Sequence, residues 1–157
     1  MAAEDTTSFL NVDLELRSAS DLAPLVKALT RSTLPLHVGR LRRSYRARLC
    51  LRRQPKSPSD AIQGFIRAVS KLSPNHKTAW KRASLREFDV GIQAGLEPRL
   101  SEWALDALTL RQVAVLGGQV RLTLYSPLFG QDISPEPEQP PNDALQRTRP
   151  AATKPRR

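Results

Sequence analysis

Apolar and polar residues alternate with a period of two in several stretches of this chain. From Phe9 to Leu16, Leu10, Val12, Leu14 and Leu16 alternate with Asn11, Asp13 and Glu15, the signature of a half-buried strand. Ser18-Ala-Ser-Asp21 reads as a capping box, with Asp in place of the usual Glu. Leu22, Leu25, Val26 and Leu29 follow at helical spacing. Leu34 to Val38 predicts a short strand, and Pro35 places it at a sheet edge. Tyr45 to Arg53 is the next strand.

A second group of signals fills the rest of the chain. Ser57 caps a helix that has Pro58 in its first turn and Asp60 at the position of a capping carboxylate. Its apolar stripe is Ile62, Phe65, Ile66, Val69 and Leu72. Ser73-Pro-Asn75 repeats the pattern and starts a shorter helix through Trp80 and Ala83. Phe88, Val90 and Ile92 alternate with Glu87, Asp89 and Gly91 in a fourth strand. A helix from about Asp106 to Leu116 ends at Gly117-Gly118, a left-handed cap. Val120, Leu122 and Leu124 alternate with Gln119, Arg121 and Thr123 in the last strand.

The predicted order is βαββααβαβ. Each strand has one apolar face, so one sheet with helices on one face is expected, an α+β fold. The leading elements fit a ferredoxin-like βαββαβ unit extended by an αβ piece, with strand one central beside strand three. This domain spans residues 8–126, after a flexible N-terminus of residues 1–7. Seven of the thirteen prolines fall between Pro127 and Pro155. Proline lacks the N–H and fixes φ, so 127–157 is expected to be a Pro-rich, basic, disordered tail. Within it, Ala144 to Ala152 resembles a peptide from translated intergenic repeats at the ends of bacterial reading frames.

Composition narrows the class. The 157 residues are 39% hydrophobic, enough for one core. No apolar run approaches the roughly 18 residues of a membrane helix, so no membrane partner is expected. The opening Met1-Ala-Ala-Glu-Asp5 is acidic, unlike a secretory signal. Cys50 is the single cysteine and there are two histidines. That excludes an internal disulfide framework and a usual structural zinc site, and predicts a reduced, cytoplasmic protein.

Charge adds the main functional signal. The net charge is +10, yet residues 40–86 carry fourteen basic side chains and only Asp60 as an acid. Residues 1–39 and 87–146 are both net acidic. Within the block, Arg40, Arg42, Ser44, Arg46, Arg48, Cys50 and Arg52 are even-numbered, and Leu41, Tyr45, Ala47, Leu49 and Leu51 odd. A strand through here turns its arginines to the open face. There, acidic stripes at Asp13 and Glu15 and at Glu87 and Asp89 are expected to flank it. Two readings follow. One is an internal lattice of cross-strand ion pairs. The other is an open face for an anionic or mixed-charge partner, because the arginine fork matches carboxylate and phosphate. The candidate binding residues are Arg40, Arg42, Arg43, Arg46, Arg48, Lys77, Lys81 and Arg82. Nucleic acid is the alternative partner, through residues 40–56 and 77–86. Against it, the open face lacks stacking aromatics apart from Tyr125, and its carboxylates repel phosphate.

Catalysis has little support. His37 and His76 have no Cys, Ser or carboxylate at suggestive spacing. Gly117-Gly118 follows a helix, where a phosphate loop would precede one. Cys50 shares the arginine face, which favours a thiolate, but no base lies near it in sequence. Carboxylate pairs on one strand face are expected in salt bridges. No catalytic residue, cofactor or metal is predicted. The chain reads as a non-catalytic binding module, with a protein as partner.

Phe9-Leu-Asn-Val-Asp-Leu-Glu-Leu16 followed by Asp21-Leu-Ala-Pro-Leu25, then Arg86-Glu-Phe-Asp-Val-Gly-Ile92, then Leu105 to Leu110 leading to Leu122-Thr-Leu-Tyr125, resembles a family of uncharacterised small bacterial proteins, a domain of unknown function. The resemblance covers about residues 8–126. It implies a bacterial, cytoplasmic, single-domain protein with no assigned catalytic residues. By analogy, it implies an interaction role.

Overall fold

The computed structural model describes residues 6–126. Residues 1–5 of the expected N-terminal segment and all of 127–157 lie outside the described residues. Nine elements follow in the predicted order: β1 (Ser8–Ser18), α1 (Ala23–Leu29), β2 (Thr33–Leu41), β3 (Ser44–Leu51), α2 (Pro58–Ser70), α3 (Pro74–Arg82), β4 (Leu85–Gln93), α4 (Ala107–Val115) and β5 (Gln119–Tyr125). They form an α+β fold with one five-stranded sheet in the order β2-β3-β1-β4-β5. Neighbours are antiparallel except β4 and β5, which are parallel and joined through α4. The sheet is therefore mixed.

The helices share one core with a single face of the sheet. Val12, Leu14 and Leu16 of β1 and Phe88 and Val90 of β4 meet Leu25 and Leu29 of α1, Phe65 and Val69 of α2, Trp80 of α3 and Val113 of α4. Phe65 and Phe88 pack edge to face with ring centroids 6.0 Å apart. Each large side chain so buried contributes about 1.5–3 kcal/mol. Trp80 is buried and donates its indole N–H to the Leu116 carbonyl at 3.0 Å. Trp103 lies half-buried against the same core, in the irregular stretch between β4 and α4.

Local signals hold at three helix ends. Ser57 Oγ accepts from Asp60 N, and Ser73 Oγ from His76 N. After α4, Gly117 adopts φ +66°, its N–H reaches Ala114 O and that of Gly118 reaches Val113 O, both at 2.9 Å. This 5→2 and 6→1 pair is a Schellman ending. The expected capping box is absent. β1 runs on through Ser18, which pairs with Tyr45, and Ser18 Oγ accepts from Ser20 N instead. The helix begins at Ala23 without a side-chain cap, and Asp21 binds Ala23 N in a local turn.

Two expectations about the sheet are corrected. The basic run is not one strand. Arg42 and Arg43 form a two-residue loop between β2 and β3, with Arg42 at φ 55°. Because that loop has two residues, Leu41 pairs with Ser44 and Arg40 with Tyr45. Paired residues share a face, so the even-numbered face of β3 is the odd-numbered face at this end of β2. Further along, a register shift between Pro35 and His37 changes the parity again. The acidic stripes also do not flank the arginines. β1 and β4 are neighbours, which puts Asp13 against Asp89 and Glu15 against Glu87, with basic side chains on β3 and β5 outside them.

Candidate binding face

The face away from the helices carries alternate residues of each strand. β1 contributes Asn11, Asp13, Glu15 and Arg17, and β3 contributes Ser44, Arg46, Arg48 and Cys50. β4 contributes Glu87 and Asp89, and β5 contributes Gln119, Arg121 and Thr123. Like charges directly opposed are unfavourable, so Asp13–Asp89 and Glu15–Glu87 need compensation from the sides.

Arg48 supplies it on one side. Its Nε donates to Asp13 Oδ2 at 2.7 Å, and its guanidinium lies 3.6 Å from both Glu15 and Asp89. Burial works against the arginine's charge, but the three carboxylates outweigh it and hold its pKa above the ordinary value. Asp13 is less fortunate: burial pushes its carboxyl up, Asp89 and Glu15 add to that, and Arg48 offsets only part of it. The pair therefore favours charge on Arg48 more than on Asp13. On the other side, Arg121 lies 2.9 Å from Glu87 Oε1, Gln119 donates to Glu87 Oε2, and Thr123 donates to Asp89. Glu87 is 1% exposed, and its Oε1 accepts no aligned hydrogen bond. Among the described residues no group of three or more His, Cys, Asp or Glu side chains is placed to hold a metal ion. Arg48 occupies the centre of the acidic cluster.

The corner near the β2–β3 loop has the opposite character. Arg17 pairs directly with Arg46 across β1 and β3. Both are exposed, and neither has an ion-pair partner among the described residues. His37 lies opposite Arg48. With Leu41, Leu85 and Glu15 these residues line a groove of about 350 Å³. The face thus divides into a buried, internally paired acidic half and an exposed basic corner.

The predicted site residues separate accordingly. Arg46 lines the groove, and Arg42 and Arg43 form the loop beside it. Arg48 reaches the groove wall, but its guanidinium is committed to carboxylates. Arg40 lies on the opposite face, its guanidinium 5.8 Å from the Tyr45 ring centroid, because the loop inverts the parity. Lys77, Lys81 and Arg82 are exposed on α3, in the helix layer and off the open face. Cys50 faces Asp13, and burial together with that carboxylate raises its thiol pKa, so no thiolate is favoured.

Arg17 escaped the sequence reading because it stands alone in an acidic segment. Its signal was its parity, odd like Asp13 and Glu15. Arg86 has a different use from the rest of the basic block. It donates to the carbonyls of Trp80, Lys81, Ala83 and Gly117 at 2.7–3.0 Å and so closes the ends of two helices.

No family model, curated protein or solved structure matched the chain in comparison. Among the described residues no helix is long and apolar enough to cross a membrane.

Proposed function

We propose that the protein is a non-catalytic binding module that docks an acidic segment of a protein partner on the Arg17–Arg46 corner of its open sheet face. The single observation carrying this reading is the direct opposition of Arg17 and Arg46, neither of which is in an ion pair among the described residues. An internal lattice would put an acid opposite one of them, as it does for Arg48. Two guanidinium forks next to the exposed Leu41 and the half-buried Leu85 of the groove suit a carboxylate carried on a partly apolar segment. The adjacent Glu15 rejects a ligand of uniformly negative charge.

The order β2-β3-β1-β4 supports reading the first four strands as a ferredoxin-like unit extended by α4 and β5. A bacterial, cytoplasmic setting, and the resemblance over residues 8–126, belong to the same proposal.

Nucleic acid is the second reading, and one observation favours it. Ser84 N donates to Arg17 O at 2.7 Å, which brings the end of α3, with Lys81 and Arg82, to the same end of the sheet as Arg42, Arg43 and Arg46. A fluorescent peptide of interspersed glutamate and leucine and a random single-stranded oligonucleotide, titrated near physiological salt, separate the two. The first reading expects peptide binding that weakens about tenfold, some 1.4 kcal/mol, in Arg46→Glu. Tighter oligonucleotide binding that persists at that salt and falls in an Arg43→Glu, Lys81→Glu variant replaces it with the second.

A further inference from the structure

At the far end of the sheet, five cationic side chains surround one cavity. Arg31 follows α1, Arg52 and Arg53 follow β3, and Arg67 and Lys71 stand on and just after α2. The cavity measures about 260 Å³. Ser44 and Leu51, at the two ends of β3, lie about 24 Å apart at roughly 3.4 Å per residue. This site is therefore separate from the Arg17–Arg46 corner.

Its construction is visible on α2. Gly64, Arg67, Ala68 and Lys71 follow an i, i+3, i+4, i+7 spacing, which puts them on one helix face. The missing side chain at Gly64 lets that face approach β3: a Cβ there would come within 2.7 Å of Leu51 Cδ1. The small residues form the floor and the cations form the walls.

The counter-charge is incomplete. Asp60 takes Arg53 in a fork, both contacts at 2.7 Å. Arg52 gives its Nε to the Thr30 carbonyl, at the end of α1. Arg31, Arg67 and Lys71 make no side-chain hydrogen bond or ion pair with the described residues. Helix C-termini attract positive charge, but these three side chains touch no terminal carbonyl. Gathering them around one concavity is unfavourable on its own, and a single anion of high charge neutralises several at once.

We propose that this cavity binds a compact polyanion carrying two or more phosphoryl groups. A planar carboxylate offers its oxygens in one plane and suits one arginine fork. Tetrahedral phosphoryl oxygens accept from several directions, as walls on α1, β3 and α2 require. The volume falls just below the roughly 300–1,000 Å³ of sites for drug-sized ligands, which favours a small anion over a bulky one.

The test is calorimetric titration of the full chain with inorganic triphosphate near physiological salt, with citrate as the carboxylate comparison. The expected result is saturable one-to-one binding of triphosphate that weakens at least about tenfold in Arg67→Glu, Lys71→Glu and holds in Arg42→Glu, Arg43→Glu. All four positions are exposed, and a melting curve of each variant checks that it folds. Absence of saturation up to about 1 mM, or equal losses in the two variants, overturns the site. Citrate binding as tight as triphosphate overturns the phosphoryl assignment.

Discussion

Arg86 donates its Nε to the Gly117 carbonyl at 2.8 Å, while a Cβ placed on Gly117 would come within 3.3–3.4 Å of the same guanidinium. One arginine on β4 thus ties the end of α4 to the end of α3, and the glycine leaves room for it. Hydrogen bonds from a charged donor contribute about 1.5–3 kcal/mol each in net terms. Arg86→Ala is expected to lower stability by about 2–3 kcal/mol. Arg86→Lys recovers only part of this, because an ammonium cannot reach carbonyls at both helix ends. Urea unfolding of the three proteins checks the order.

The two glycines after α4 have different reasons to be glycine. Gly117 needs φ +66°, which costs a residue with a Cβ about 1–2 kcal/mol. Gly118 needs space: its Cβ would meet Phe88 Cε2 at 2.8 Å and Val113 O at 3.3 Å, and Phe88 is fully buried. Gly118→Ala is expected to destabilise by about 1–3 kcal/mol through overpacking. Asn at 117, which tolerates the left-handed region, should cost less than Ala; Asn at 118 should cost more. Thermal melts of the four variants decide this.

Arg48 holds three carboxylates together, and removing it leaves two of them, Asp13 and Asp89, buried without their cation. Loss of one partner of a buried pair costs about 3–5 kcal/mol. Arg48 is 39% exposed, so Arg48→Met is expected to cost about 2–3 kcal/mol after solvent screening. Asp13 behaves in the opposite sense. Its folded pKa lies above the ordinary value, so its contribution is most favourable in acid and declines as pH rises through the folded pKa. Asp13→Asn should therefore match or exceed the parent in stability near neutral pH and lose that advantage in acid. Chemical denaturation at both pH values tests the sign.

Asp60 and Asp106 work the other way. The Arg53 fork and the Lys56 amide hold Asp60 well below the usual carboxylate range, and the Thr109 amide and hydroxyl lower Asp106. A depressed pKa gives stability that is present above the unfolded value and lost as pH falls through the folded one. The acid limb of the stability curve should flatten in Asp60→Asn and Asp106→Asn. A limb of unchanged slope in both variants would contradict the assignment.

Arg17 and Arg46 oppose each other at some cost, so Arg46→Glu should stabilise the fold by about 0.2–1 kcal/mol. The same change removes one of the two forks proposed to hold an acidic partner. Higher stability with weaker peptide binding is the expected combination, read by melting and fluorescence titration on the same sample.

The strands and helices were legible because burial of one face writes a period into the sequence. Val12 to Leu16 and Phe88 to Ile92 carried it for the central strands, and Ser57-Pro58 and Gly117-Gly118 marked helix ends; Leu10, beside the register shift between Phe9 and Asn11, and Leu122 and Leu124, on the edge strand β5, follow the same alternation yet stay exposed. The capping box at Ser18–Asp21 misled because pairing with Tyr45 held Ser18 in the sheet. The candidate site was only partly legible. Arg46 and the loop pair Arg42–Arg43 were found, whereas Arg17 was marked only by its parity, Arg52 was read as part of the open-face alternation, and the other cavity cations Arg31, Arg53, Arg67 and Lys71 belonged to no local pattern.

The sequence by itself determined the core-facing side of the central strands from Val12 to Leu16 and from Phe88 to Ile92, how the elements follow one another and where the positive charge concentrates. Those properties depend on near neighbours in the chain, at spacings of two to four residues. The tertiary structure alone decided which charges meet. A two-residue loop put Arg40 on the opposite face from Arg46, and the pairing of β1 with β4 set Asp13 against Asp89. Face and partner depend on strand order and register, and a shift of one residue exchanges the two faces.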